Sequence, residues 1–431
     1  MSLTDYPPGF QDMLGFPLVQ ALLGRRSRRF LRGATIPDGP LAYQSRHAPM
    51  PLSELERMLV LTAMGGNTGW HFMISHNARY APHLPNYSAG AGGRTFPSPA
   101  GFQISEFFFT DDTGVYFFAT RDAPAMVPKT PNEPTDLADL AEAHRQRIRK
   151  LADKRLYLPP QDPHLEGHNT WVVNQPGSLL VFPVADLAQH NIAGLCYYLQ
   201  NGYCLHDDVH GNPIPGLERF RHLYDPDNPL PLSFFERYSM LESTAEIVSA
   251  CYAGVLTLQA MGLGGWMFNG INPYSILGAS GDPNVPGLGF RYDWAQGWSL
   301  PNPTGLPGVF EAYCPPHYAD MLAAVEAFVQ RKYRPGGPFH AATPGPWKES
   351  AKVRSSAEVH SEEFKECVAI QAQYILDRFG KFPGTVPSVL VFMYLQAHHL
   401  DLEFYDHYFQ PGAYLPTHAQ HMERWHPGET A

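Results

Sequence analysis

The apolar stretch at residues 247–268, which begins the longest uncharged run of the chain, constrains the fold more than any other feature. It contains 22 residues and includes glycines at positions 262, 264 and 265. About 20 apolar residues are enough to span a bilayer. However, Ser249, Thr257, Gln259 and the glycines make this stretch more polar than a typical span, and no basic cluster follows it. We therefore predict a buried core helix whose glycine-rich end approaches a flat partner.

The composition is that of a compactly folded protein without a strong affinity for nucleic acid. The chain has 431 residues, is 44% hydrophobic and carries a net charge of -10, which disfavours phosphate backbones as partners. Its five cysteines are odd in number and form no Cys-x-x-Cys motif, and no apolar leader follows the start. We expect a cytoplasmic protein with no membrane segment, built as two domains or as one large domain.

Hydrophobic periodicity and capping residues predict the main elements. Helices are predicted over 16–30, 51–64, 137–147, 186–200, 319–333, 361–379 and 387–409, with another that begins near Ser233 and includes the uncharged stretch. Strands are predicted over 103–110, 114–120 and 178–184, the first two as a hairpin. A Pro- and Gly-rich segment at 334–358 marks a boundary before the C-terminal part.

Three separated segments carry residues suited to binding a ligand. The run Arg25–Arg29 offers guanidinium groups and the Ser27 hydroxyl, which suit a phosphate. The loop 94–103 offers small and polar residues directly before a strand, and 262–265 offers backbone amides without bulky side chains. Taken singly, these segments are also typical of a solvated helix end, a turn and a helix stop.

In their order, the three segments resemble the FMN-dependent nitroreductase superfamily, and within it the peptide azoline dehydrogenases that form thiazoles and oxazoles. The resemblance rests on Arg25–Phe30, on Arg94–Gly101 with the strand that follows, and on Leu258–Gly264. It implies an α+β fold, a central antiparallel sheet wrapped by helices, and a homodimer with FMN at its interface. The flavin domain would cover residues 1–335 with an insertion at about 128–235, and residues 336–431 would form a helical C-terminal extension.

The resemblance also implies roles for particular residues. The cofactor-binding residues would be Arg25, Arg26, Ser27, Arg29, Pro97, Ser98, Gln103, Gly262, Leu263 and Gly264. The arginines and Ser27 would hold the phosphate and ribityl chain, the loop residues would lie along the flavin ring, and the glycine segment would face the polar edge of the ring. Phe96, Phe102 and Trp266 would form walls for the substrate.

The implied activity is hydride transfer between FMN and NAD(P)H or a small organic or heterocyclic substrate. The alternative is a flavin-free binding or scaffold subunit of a modifying complex. Family members usually carry a late basic residue near a Gly-Tyr/Phe-Pro turn that completes the phosphate site. Both Gly308–Phe310 and Gly380–Pro383, with Lys381, are imperfect candidates, and the choice between them stays open.

A second group of polar residues lies near the C-terminus. On the predicted helix 387–409, His399, Glu403 and His407 recur at every fourth position and would share one face. His418, His421 and His426 follow. Imidazole and carboxylate are metal ligands, but the spacing is not that of a recognised zinc motif and a flavin enzyme has no clear task for a metal. We expect a packing or polar-network role and no metal site, with metal ligation and substrate contact as alternatives.

Overall fold

The computed structural model describes residues 6–70, 92–121, 137–357 and 359–428. Its helices are α1 (Pro8–Leu14), α2 (Leu18–Gly24), α3 (Glu54–Gly65), α4 (Leu137–Arg145), α5 (Leu187–Gln200), α6 (Leu232–Met261), α7 (Pro273–Leu277), α8 (Met321–Tyr333), α9 (Ser350–Ser355), α10 (Glu362–Phe379), α11 (Leu402–Tyr408), α12 (Pro416–Ala419) and α13 (His421–Trp425). Its strands are β1 (Thr35–Ile36), β2 (Tyr43–Gln44), β3 (Asn67–Trp70), β4 (Gly92–Arg94), β5 (Ser105–Asp111), β6 (Gly114–Phe118), β7 (Ile148–Ala152), β8 (Leu179–Asp186), β9 (Cys204–His206), β10 (Pro229–Pro231), β11 (Gly264–Phe268), β12 (Arg291–Asp293), β13 (Asn302–Leu306), β14 (Phe310–Glu311), β15 (Val389–Leu390) and β16 (Tyr394–His398).

A seven-stranded sheet forms the centre of the molecule. Its strand order is β11-β16-β8-β5-β6-β7, and β15 also pairs with β8. Every pairing in this sheet is antiparallel. Successive side chains of a strand point to opposite faces, and Phe108 of β5 packs in one core while Phe107 and Phe109 pack in the other. The sheet is therefore covered on both faces, and the predicted α+β fold with a central antiparallel sheet is confirmed.

Several sequence-based predictions of single elements are confirmed. α3 begins after Ser53, whose side chain accepts a hydrogen bond from the Glu56 amide while the Glu56 carboxylate accepts one from the Ser53 amide. This reciprocal pair is a capping box, and it fixes where the helix starts. The predicted hairpin is β5 and β6, and the segments predicted near 137, 178, 186, 233, 319 and 361 form α4, β8, α5, α6, α8 and α10.

The buried core helix predicted in the uncharged stretch is α6, but the residues from Gly264 to Phe268 form a strand instead of continuing the helix. α6 ends at Met261, because Gly262 takes a left-handed conformation with φ of 78° and donates its amide hydrogen to Leu258. β11 then begins at Gly264 and pairs with β16. Among the helices of the described residues, none is long and apolar enough to cross a membrane.

The predicted helix over 387–409 is also wrong, because this segment contributes β15, β16 and α11. All five residues of β16 are buried, and the strand lies between β11 and β8 in the central sheet. A strand covered on both faces shows no polar alternation, which removes the sequence signal for it. The C-terminal segment is thus not wholly helical. The domain boundary at residue 335 stays a prediction.

Candidate functional site: an arginine-lined cavity and a histidine cluster

The structure brings together two of the three segments that the sequence singled out. The helix predicted over 16–30 is shorter than expected, since α2 ends at Gly24 and the basic run continues as extended chain. Arg28 in this run forms an isolated antiparallel bridge with Gly265, whose amide donates a hydrogen bond of 2.9 Å to the Arg28 carbonyl. The basic run therefore lies beside the start of β11.

A cavity of about 430 Å³ opens next to this bridge, and we call it the arginine cavity. It is lined by Arg26, Ser27, Arg28, Arg29, Phe30, Ile36, Leu41, Trp171, Phe404, Tyr405, Phe409, Gly412 and Ala413. No aspartate or glutamate is among these lining residues. Among them, Arg26 and Ser27 are exposed, and Arg29 is half-buried. The lining thus combines guanidinium groups with aromatic rings.

Arg28 anchors the inner side of the arginine cavity. Its guanidinium donates from Nε to the Ala413 carbonyl at 2.8 Å, from Nη1 to Gln259 Oε1 at 2.8 Å and from Nη2 to the Gly24 carbonyl at 3.2 Å. Burial lowers the pKa of Arg28. Throughout the described ranges, Arg28 and its neighbours Arg25, Arg26 and Arg29 form no ion pair with a carboxylate. Guanidinium groups that have no carboxylate to neutralise their charge favour an anion at this place.

Aromatic rings build the wall of the cavity. Phe30 stacks on Phe404 with ring centroids 4.1 Å apart and on Trp171 with centroids 6.2 Å apart. Trp266 was expected to wall a substrate, but its side chain is 1% exposed and lies under Arg29, whose Cζ is 5.0 Å from the ring centroid. Trp266 therefore supports an arginine of the cavity and is not among the lining residues.

The glycine segment after α6 is covered by the chain itself. A Cβ on Gly262 would lie 2.2 Å from the Thr417 carbonyl oxygen, and a Cβ on Gly264 would lie 2.2 Å from Leu400. Leu263 between them is fully buried. The glycines at these positions thus accommodate the C-terminal segment, which packs where a cofactor edge was expected.

The remaining predicted residues lie elsewhere, in the loop before β5. Ser98 Oγ donates a hydrogen bond to buried Glu246 on α6, and Gln103 donates from its amide to Ser98 Oγ at 2.8 Å and from Nε2 to the Gly92 carbonyl at 2.6 Å. Pro97 is exposed. β5 is three strand spacings from β11, about 14 Å at the usual spacing. Ser98 and Gln103 thus form hydrogen bonds within the protein, and this loop does not line the arginine cavity.

The two predicted phenylalanines also lie away from the arginine cavity. Phe96 is buried against Phe107, with ring centroids 6.0 Å apart. Phe102 lines a different cavity of about 310 Å³, in which His190 Nε2 lies 2.9 Å from a carboxylate oxygen of Glu242. The substrate walls expected from the sequence are thus split between the core and a second cavity.

Neither late candidate for the phosphate site contacts the arginine cavity. Lys381 donates from Nζ to the carbonyls of Pro383 and Val386, and burial lowers its pKa to about 8. Phe310 is buried in β14 and packs on Phe108 and Phe290. Lys381 and Phe310 therefore make contacts within the protein and do not complete a phosphate site in the arginine cavity.

A second constellation, the histidine cluster, consists of Glu56, His399, His421 and His426. The Glu56 Oε1 atom lies 3.3 Å from His399 Nε2, 3.0 Å from His421 Nε2 and 3.1 Å from His426 Nε2. The four ligand-type atoms all lie within 4.8 Å of one another. Each residue is at most 8% exposed, and Glu56 and His399 are almost fully buried. Four potential metal ligands thus converge on one small volume.

Neighbouring backbone groups orient the members of the histidine cluster. His399 Nδ1 lies 2.9 Å from the Met50 carbonyl, His421 Nδ1 lies 2.8 Å from the Met261 carbonyl, and the second Glu56 oxygen accepts the Ser53 amide hydrogen at 2.7 Å. Burial lowers the pKa of His421.

The histidine cluster differs from the arrangement expected on a single helix. Glu403 and His407 lie on α11, and His399 precedes that helix directly after β16, so the three do not share a helical face as predicted. Glu403 pairs with His47 at 3.4 Å. Glu56 is separated from His399 by 343 residues and from His426 by 370. No local spacing could have revealed this set.

Comparison with known proteins gives little further guidance. No family model matches the chain, and no curated protein matches it. Among solved structures, the chain is similar to a protein from Ralstonia eutropha JMP134 that carries the provisional name nitroreductase. The identity is 15%, the match covers 60% of this chain and 71% of that one, and the TM-score is 0.26. This similarity is too low to assign a function to the chain.

Proposed function

We propose that this chain is an FMN-dependent oxidoreductase that holds the cofactor in the arginine cavity. The observation that carries the proposal is the absence of acidic side chains from a cavity lined by Arg26, Ser27 and Arg29 together with aromatic rings. A volume of about 430 Å³ falls in the range of pockets that take a drug-sized molecule. The resemblance of the basic run to the nitroreductase superfamily supports the same cofactor.

The chemistry of the lining suits the two ends of FMN. Guanidinium groups form charge-assisted hydrogen bonds with phosphate oxygens, and the Ser27 hydroxyl adds a further donor. Arg26 donates from Nη1 to the carbonyls of Leu23 and Arg25. Because the side chain is exposed, it can exchange these local hydrogen bonds for contacts with an anion. Aromatic faces such as Trp171 and Phe404 would pack on the flat ring system. Bound FMN would supply hydride acceptance and donation, while the protein would bind and orient it.

This proposal narrows the set of cofactor residues to Arg26, Ser27 and Arg29, with Arg28 as an anchor from behind. Pro97, Ser98, Gln103 and the 262–264 segment are outside the arginine cavity. Hydride exchange with NAD(P)H or with a small organic or heterocyclic substrate remains part of the proposal. The alternative is a flavin-free binding or scaffold subunit, which would not bind FMN.

We also propose that the protein is a homodimer. α6 exposes Phe234, Tyr238, Leu241 and Tyr252, which lie on one side of the helix because they recur at intervals of three, four and eleven residues. α2, which ends just before the basic run, exposes Leu18, Val19 and Leu23. A second copy covering these apolar side chains would remove them from water. A monomeric mass in sedimentation equilibrium at micromolar concentration would contradict this state.

Replacing both Arg26 and Arg29 with glutamine is expected to weaken FMN binding about 100-fold, because each lost charge-assisted contact contributes on the order of 1.5 kcal/mol. The measurement is a titration of untagged protein with FMN and with riboflavin, followed by quenching of flavin fluorescence. Riboflavin lacks the phosphate, so its affinity should change less than about threefold.

The matched control is Arg145→Gln, which removes an exposed guanidinium that pairs with Glu142 and does not line the arginine cavity. This variant should bind FMN as the unaltered protein does. Equal FMN affinity in the double variant and the control would contradict the phosphate assignment. Equal losses for FMN and riboflavin would show that the arginines act on the ring or on the fold.

A further inference from the structure

We infer that the histidine cluster is a binding site for a first-row transition-metal dication, with zinc the expected occupant, and that the ion fastens the C-terminal segment to the body of the protein. The site is formed by Glu56, His399, His421 and His426. It is separate from the arginine cavity, and the inference does not depend on the proposed flavin chemistry.

The distances within the cluster suit a shared ion. Bonds of about 2.05 Å to a tetrahedral ion place neighbouring ligand atoms about 3.3 Å apart. Glu56 Oε1 lies 3.0 to 3.3 Å from the three Nε2 atoms. These three oxygen–nitrogen distances therefore already match the spacing of two ligand atoms on a tetrahedral ion. The widest separation in the set is within 4.8 Å, which small rotations of the imidazole rings can reduce.

The proton positions make the same arrangement unfavourable without a cation. A backbone carbonyl only accepts hydrogen bonds, so His399 and His421 donate from Nδ1 to Met50 and Met261. In the neutral imidazole the Nε2 atom then carries a bare lone pair, and in both residues this atom faces the Glu56 carboxylate. Two nitrogen lone pairs directed at a carboxylate oxygen repel it, whereas a cation among them attracts all three.

Full protonation is a poor alternative to a metal. Three imidazolium groups against one carboxylate would leave two uncompensated positive charges among residues that are at most 8% exposed. A metal dication instead uses the neutral imidazoles as ligands. The Nδ1 contacts to carbonyls are the outer-shell hydrogen bonds that typically orient metal-bound histidines.

The donor set selects the class of metal. Three imidazole nitrogens and one carboxylate oxygen suit zinc, iron, nickel, copper or cobalt, whereas calcium and magnesium prefer sites made of oxygen atoms. Four protein ligands in a buried site are typical of a structural, closed zinc centre. No member of the cluster lines the arginine cavity or the cavity that contains Phe102.

The positions of the ligands indicate what the ion would hold together. Glu56 belongs to α3 in the N-terminal part, His399 follows β16, and His421 and His426 belong to the last described turns. Between these ligands the C-terminal segment packs its Thr417 carbonyl against Gly262 and its Trp425 ring against Gly9. The ion would therefore fix this segment, including Gly412 and Ala413 of the arginine cavity, onto α3 and α6.

The test is metal analysis of the untagged full-length protein after dialysis against metal-free buffer, by inductively coupled plasma mass spectrometry. We expect about one zinc or other first-row metal per chain, falling to near zero in His421→Gln and His426→Gln. His407→Gln, which alters a histidine of α11 outside the cluster, should keep the full amount.

A second measurement does not depend on the folding of variants. Unaltered protein freed of metal with a chelator should bind Co²⁺ at one equivalent and develop the intense visible bands of a tetrahedral nitrogen and oxygen site. Metal-free protein that takes up neither Co²⁺ nor Zn²⁺ would overturn the inference. Retention of one metal per chain in both histidine variants would overturn it as well.

Discussion

Replacing Glu56 with alanine is expected to lower the free energy of unfolding by more than about 5 kcal/mol, because this carboxylate acts in two places at once. One oxygen caps α3 by accepting the Ser53 amide hydrogen, a contact that contributes about 1 kcal/mol. The other lies at the centre of three buried imidazoles. Without it, the imidazoles lose their only carboxylate within the cluster and the proposed ion loses its anionic ligand.

Urea denaturation followed by circular dichroism measures this loss. The matched control is Glu54→Ala on the same helix turn, since Glu54 is exposed and lies 3.9 Å from Arg145. That substitution should cost less than about 0.5 kcal/mol. A chelator should destabilise the unaltered protein strongly and the Glu56→Ala protein little. A loss below about 1 kcal/mol in Glu56→Ala would show that the histidine cluster contributes little to stability.

Replacing Gly265 with alanine is expected to lower the free energy of unfolding by about 3 to 5 kcal/mol. The residue has φ of 147°, which side-chain-bearing residues rarely adopt, and an added Cβ would lie 2.1 Å from the Gln396 carbonyl oxygen. Gln396 belongs to the neighbouring strand β16, so relief of the clash would require the two strands to separate. Separation of the strands would also disturb the hydrogen bond that the Gly265 amide donates to the Arg28 carbonyl.

The control for this substitution is Gly289→Ala. Gly289 also has a positive φ, of 75°, but nothing lies within 4 Å of its added Cβ. The strain alone should cost about 1 kcal/mol. Urea denaturation of the two variants therefore separates backbone strain from steric clash. Equal losses would show that the approach of β16 to Gly265 is unimportant.

Local signals in the sequence predicted much of the secondary structure. The Ser53 cap fixed the start of α3, and the hairpin of β5 and β6 followed from two apolar runs around Asp111. β16 was missed because a strand buried on both faces resembles part of a helix in its composition. The glycines at 262 and 264 were interpreted as a ligand edge, whereas their lack of a side chain accommodates Thr417 and Leu400.

The two candidate sites differ in how far a sequence can reveal them. The arginine cavity was partly predictable, because Arg26, Ser27 and Arg29 are consecutive or nearly so and their charge is evident. The aromatic residues Trp171 and Phe404 also line this cavity, but they are far from the basic run in sequence and only the fold brings them beside it. The histidine cluster joins the third helix to the last turns of the chain, and a contact between residues this far apart leaves no local pattern.

The proposal that the chain is a flavin oxidoreductase is tested most directly by the visible spectrum of the untagged protein, as purified and after incubation with FMN and removal of free ligand. The account predicts a yellow protein with about one FMN per chain, released on denaturation. It further predicts that added NADH, NADPH or an organic reductant bleaches the bound flavin and that an electron acceptor restores the colour. A well-folded protein that stays colourless after incubation with excess FMN would contradict the proposed function.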